Sequence, residues 1–99
     1  DESLSTDDIS KIDEIISRHE AEYTNYHGLK TRKSGPDKFI EFHLMMPHKT
    51  SLTDAHDLVA HIRDEIESEI PRIVINVHLD PCDGRCGKDE CTFVCKLRE

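Results

Sequence analysis

The stretch KFIEFHLMMP, residues 38–47, is the most apolar part of the chain and carries a histidine at its centre. A strand alternates its side chains with period two, so Ile40, Phe42, Leu44 and Met46 fall on one face and Phe39, Glu41, His43 and Met45 on the other. His43 therefore need not enter the core. It shares the second face with Glu41, and whatever else lies there decides what the molecule does.

Working outward, residues 26–35, YHGLKTRKSG, read as a short strand running into Ser34, Gly35, Pro36 and Asp37, which is turn chemistry, so the two strands form a hairpin. Upstream, SLSTDDISKIDEIISRHEAE (3–22) reads as a helix capped by Ser5 or Thr6, with acids in its first turn and Ile9, Ile12, Ile15, Ile16 and His19 along one stripe. Downstream, Pro47 stops the strand and SLTDAHDLVAHIRDEIESEI (51–70) reads as a second helix. Ser51 and Asp54 resemble a capping box, Leu52, Ala55, Val59, Ile62, Ile66 and Ile70 form the apolar stripe, and Pro71 ends it. RIVINVHLDP (72–81) is a third strand, with Ile73, Ile75, Val77 and Leu79 on one face and Val74, Asn76, His78 and Asp80 on the other.

The order helix, strand, strand, helix, strand predicts an α+β domain in which both helices cover one face of a small sheet. The opposite face is left open. It carries His43, His78 and Asp80, and His27 near the start of the first strand can join them. Imidazole nitrogen and carboxylate oxygen are ligands for zinc and other first-row divalent metals. In a strand His78 and Asp80 sit on the same side about 7 Å apart, near enough to share or bridge one ion.

Composition narrows the function. The 99 residues suit one domain with one core. Twenty-one acidic against thirteen basic residues give a net charge of -8, which argues against nucleic acid and anionic membrane surfaces as partners. The densest basic run, Lys30, Arg32 and Lys33 with Lys38 nearby, reads as a solvated strand and turn in preference to a docking patch. No apolar run approaches the roughly 18 residues of a membrane span, and no secretory leader opens the chain. A soluble piece of a longer protein is expected, since the sequence begins without Met.

All four cysteines fall in PCDGRCGKDECTFVC (81–95). They could staple only the tail to itself, which favours a reducing compartment. The chain thus divides into a domain, 1–81, and a cysteine-containing tail, 82–99. Cys82, Cys86, Cys91 and Cys95 leave three readings open: a second, thiolate metal site, free thiols on a disordered tail, or a redox-sensitive disulfide. Among the seven histidines, His19, His48 and His61 lack companions at ligand spacing and are expected to be solvated. His56, early in the second helix, is either an exposed helix residue or a ligand reaching the strand ends or a neighbouring subunit.

The runs YHGLKTRKSGPDKFIEFHLMMP, DAHDLVAHI and VINVHLDP together resemble the cytoplasmic C-terminal domain of the cation diffusion facilitators, efflux transporters of zinc, iron, cobalt and manganese. The resemblance spans about residues 5–82. It implies a ferredoxin-like, metallochaperone-like sandwich that forms a homodimer, binds divalent metal at the dimer interface and regulates a transmembrane domain of the same polypeptide, which would precede residue 1. Matched position by position, it implies that His27, His43, His56, His78 and Asp80 are metal ligands. Zinc is the expected metal, with Fe2+, Co2+, Ni2+ and Mn2+ as alternatives. The cysteine tail departs from that pattern. The reading is a regulatory domain on the cytoplasmic side of a membrane and not an enzyme. Its rivals are a free-standing metal carrier of the same fold and a zinc hydrolase, for which the sequence offers no evident general base.

Overall fold

The computed structural model describes residues 3–81. Cys82, Cys86, Cys91 and Cys95 lie outside the described residues, and so do the three readings of the tail. The elements are α1 (Thr6–Ser17), β1 (Asn25–Ser34), β2 (Asp37–Met46), α2 (Leu52–Glu69) and β3 (Ile73–Pro81), in the expected α-β-β-α-β order.

Local chemistry sets each boundary. Ser5, rather than Thr6, caps α1: its hydroxyl accepts from the Asp8 N–H at 3.1 Å, while Asp7 and Asp8 place negative charge at the positive end of the helix. Ser51 does the same for α2 through the Asp54 N–H at 3.0 Å. The hairpin turns on Gly35 and Pro36. Gly35 supplies a φ of 59°, the positive angle that a two-residue turn of this kind needs at its first central position.

β2 is the middle strand, antiparallel to β1 and parallel to β3, and α2 makes the crossover that a parallel pair requires. Its inner face behaves as its alternation predicts. Ile40, Phe42, Leu44 and Met46 are buried, and they pack with Ile12, Ile15 and Ile16 of α1 and Leu58, Ile62 and Ile66 of α2. Each such side chain contributes about 1.5–3 kcal/mol by leaving water.

Three expectations are corrected. Leu58 enters the core in place of Val59, which is half-buried, because the stripe of α2 centres between Ala55 and Ile62 and the sheet lies on the Leu58 flank. Leu52 is 84% exposed, since nothing described packs against the first turn of α2 on that side. On β3, Ile73 and Ile75 are buried but Val77 is half-buried and Leu79 exposed, so the alternation keeps its phase while its cover runs out towards Pro81.

His19 is corrected as well. It is not a free solvated imidazole: its Nε2 lies 2.6 Å from Glu65 and its Nδ1 3.2 Å from Glu22, beside Arg18, which pairs with Glu14, Glu65 and Glu69. This network ties the end of α1 to α2. His48 and His61 are exposed, as expected.

Candidate metal centre

Alternation along β2 puts His43 on the face opposite the helices. Bringing His27 to the same face takes a break in β1. Beyond the hairpin Lys30 pairs with Glu41, and regular pairing would set Gly28 against His43; instead His27 does so, with Gly28 and Leu29 together opposing Phe42. This is a β-bulge, and it reverses the facing of everything before it. His27 and Asn25 turn outward. Tyr26 turns inward, where its ring meets Phe42 edge-on at 5.5 Å and its hydroxyl donates to Asp13 at 2.8 Å. Burial, and then that hydrogen bond, pushes the Tyr26 phenol well above its ordinary pKa.

Gly28 is suited to the bulge on two counts. Its φ is 70°, in the left-handed region, and a Cβ there would stand 3.0 Å from Cδ2 of His43. The imidazole rests over the bare glycine.

On β3, His78 pairs with His43 and Asp80 with Met45. Three rings therefore line up across three strands: His27 and His43 are stacked at 5.1 Å and 10°, His43 and His78 at 4.6 Å and 18°. Each ring has an oxygen partner. His27 Nδ1 lies 2.8 Å from Asn25 Oδ1, His43 Nδ1 3.1 Å from Asp80 Oδ2 and His78 Nε2 2.9 Å from Glu41 Oε2.

His27, His43 and Asp80 can each present a ligand atom within 4.8 Å of the others. Bonds of about 2.0–2.1 Å in a tetrahedral shell set ligand atoms roughly 3.3 Å apart, so small side-chain rotations would close these three on one ion. Two nitrogens and a carboxylate oxygen suit zinc and its divalent neighbours, and three donors leave a coordination position over. The donor set fits the metal that the sequence predicts.

The five expected ligands are thus distributed unevenly. His27, His43 and Asp80 converge. His78 is stacked on His43 but turned to Glu41. His56 is exposed on α2, in the helix layer across the sheet from the imidazoles. Sequence reasoning missed Gly28, whose signal was a glycine inside a strand pattern, and missed a role for Glu41, which shares the face of His43.

Towards the hairpin the same face holds a shallow depression of about 360 Å³ bordered by Lys30, Arg32, Phe39, Glu41, Val74 and Asn76. Arg32 lies over the Phe39 ring at 4.1 Å, and Val74 is 55% exposed. Apolar surface therefore adjoins the imidazole row.

Comparison with known proteins points the same way. The family model described as "Cation efflux protein, cytoplasmic domain" matches residues 4–82. The cation-efflux pump FieF of Serratia proteamaculans is 33% identical over 94 residues, covering 91% of this chain and 31% of that protein. The chain spans a third or less of the length of such curated relatives. Among solved structures, the Zn form of CzrB aligns with a TM-score of 0.73 at 28% identity, covering 88% of this chain and 98% of the other. The metal-bound C-terminal domain of the CzcD transporter from Thermotoga maritima aligns at 0.70 and 27%, covering 79% and 94%.

Proposed function

The chain belongs to the cation efflux protein family, as its cytoplasmic domain, and from that premise we propose that it senses divalent metal for an efflux transporter and answers by dimerising. The transporter is of the cation diffusion facilitator class, and its transmembrane domain is carried on the same polypeptide. Zinc is the metal that the donor set and the Zn form of CzrB favour; Fe2+, Co2+, Ni2+ and Mn2+ are the alternatives. The convergence of His27, His43 and Asp80 within 4.8 Å carries the reading.

A second copy would cover the exposed apolar surface beside the site, with Phe39, Met45 and Val74 at the contact. It would also explain His56, which faces away from its own imidazole row and would serve as a ligand only to a neighbour. Two subunits of charge -8 repel, so metal at the contact offsets the repulsion and tightens the pair. Cytosolic metal then becomes a change in quaternary structure that biases transport. For Cys82, Cys86, Cys91 and Cys95 a second, thiolate metal site is the reading preferred over free thiols and over a redox-sensitive disulfide.

Zinc titration by calorimetry, with sedimentation at matched concentration, tests the proposal. His43→Ala and Asp80→Ala weaken or abolish the main binding event and the metal-dependent tightening of the dimer. Unchanged binding in both variants would remove the site, and a sedimentation profile indifferent to zinc would remove the sensing mechanism.

A further inference from the structure

We infer that Glu41 is the positioning residue of His78: it holds the ring as the Nε2–H tautomer, so that Nδ1 is the nitrogen His78 offers to a metal. This rests on the proposed function, because it concerns how the same face is prepared for its ion.

A carboxylate only accepts hydrogen bonds, so a ring nitrogen 2.9 Å from Glu41 Oε2 must be the one that donates. That nitrogen is Nε2 of His78, and in a neutral imidazole the lone pair is then at Nδ1. His43 shows the complementary arrangement, with Nδ1 facing Asp80 Oδ2 at 3.1 Å. Two neighbouring rings, stacked 4.6 Å apart, thus have opposite nitrogens engaged by carboxylates. A ring so engaged is fixed in orientation as well as in tautomer, which is what outer carboxylates do for metal-binding histidines generally.

The backbone supports the pairing. Glu41 sits opposite Asn76 across the parallel ladder, and His78 is the next outward residue along β3, so the Glu41 side chain reaches its partner diagonally. Both side chains are about two-fifths exposed and neither contributes to the apolar core. Removing Glu41 therefore leaves the fold standing. His27 has only an amide oxygen, Asn25 Oδ1, in the corresponding place. Of the three rings, the two nearer β3 are the ones held by charge.

Long-range nitrogen–proton NMR of the imidazole rings in the metal-free protein, paired with zinc titration, decides the matter. In the wild-type chain His78 reads as the Nε2–H tautomer. In Glu41→Ala the tautomer signal moves towards a mixture, and zinc affinity falls about 10-fold or more, the range for losing such an outer carboxylate. Glu41→Gln removes the charge but still offers a carbonyl acceptor beside its amide donor, so it keeps more of the Nε2–H tautomer and of the affinity than Glu41→Ala does. An affinity drop in Glu41→Gln equal to that in Glu41→Ala, with the Nε2–H tautomer retained in Glu41→Gln, would make the effect one of charge alone and overturn the positioning role. So would a wild-type His78 protonated at Nδ1, or a tautomer unmoved in Glu41→Ala. Failure of the wild-type chain to bind zinc at all would overturn the proposed function together with this inference, whereas normal binding with the wrong tautomer would overturn only the inference.

Discussion

The two faces of β2 are one backbone apart and work by different physics. Phe42 and Leu44 are fully buried on the inner face, held by apolar area removed from water. Between them His43 looks outward with 37% of its side chain exposed, held by one carboxylate, a stacked ring on either side and the missing side chain of Gly28. Stability is concentrated inside, and ligand chemistry outside, where donors stay free to move onto an ion. The separation teaches that a substitution on one face should leave the other nearly untouched.

The largest test is on the inner face. Phe42→Ala removes a fully buried aromatic ring from the layer that joins both helices to the sheet, and is expected to cost about 3–5 kcal/mol in denaturant unfolding. Zinc binding should persist in whatever fraction remains folded. A stable variant that no longer binds zinc would break the division between the faces.

Gly28→Ala is the one substitution expected to cross it. The left-handed φ of 70° charges any side chain about 1–3 kcal/mol of backbone strain. The added methyl also meets the His43 ring at 3.0 Å. Stability and zinc affinity should therefore fall together. Loss of stability with unchanged affinity would mean that the close approach does not position the ring.

The outer face supplies the converse. His43→Ala in metal-free protein is expected to change unfolding free energy by no more than about 1 kcal/mol, as for a half-buried residue outside the apolar core that loses one hydrogen bond. Adding zinc should then stabilise the wild type with the logarithm of free zinc above its dissociation constant and leave the variant where it was. A zinc-dependent gain in both would place the metal elsewhere.

The same division explains what could be read from the residues alone. Period-two alternation in 38–47 and 72–81 reports burial directly, so the strands, their faces and the open side were legible. Helix stripes gave the two helices, though the choice between Leu58 and Val59 depends on where the sheet lies, which periodicity does not contain. His27 was placed on the open face only loosely, because its facing is set by the bulge at Gly28, and a bulge changes register without altering residue type. Leu52 and Leu79 were misplaced because cover ends where packing partners end. The pairing of Glu41 with His78 and of His19 with Glu65 joins residues 37 and 46 positions apart, and such pairs follow from tertiary geometry alone.

The smallest expected effect tests whether stability ever resides in exposed polar contacts here. At the junction of α1 and α2, the hydrogen bond from His19, with help from Arg18, holds the Glu65 carboxyl below its ordinary 4.5. A group whose folded pKa is depressed contributes stability that is fully present above its unfolded value and is lost as pH falls through the lower folded value. The contribution of Glu65 is therefore complete above about pH 4.5 and fades below it. Glu65 is a third exposed, so solvent screens the interaction and the gain is that of an ordinary surface pair. Glu65→Gln should be slightly less stable than the wild type near neutral pH, and the difference should shrink as the solution is acidified below the ordinary carboxylate range, while the two proteins bind zinc equally at neutral pH. Urea unfolding of both proteins across that range measures it. A difference that grew on acidification would reverse the sign and show Glu65 to be favoured in its protonated form. A difference as large as that of Phe42→Ala would show that this network, and not the apolar layer beneath it, holds the helices together.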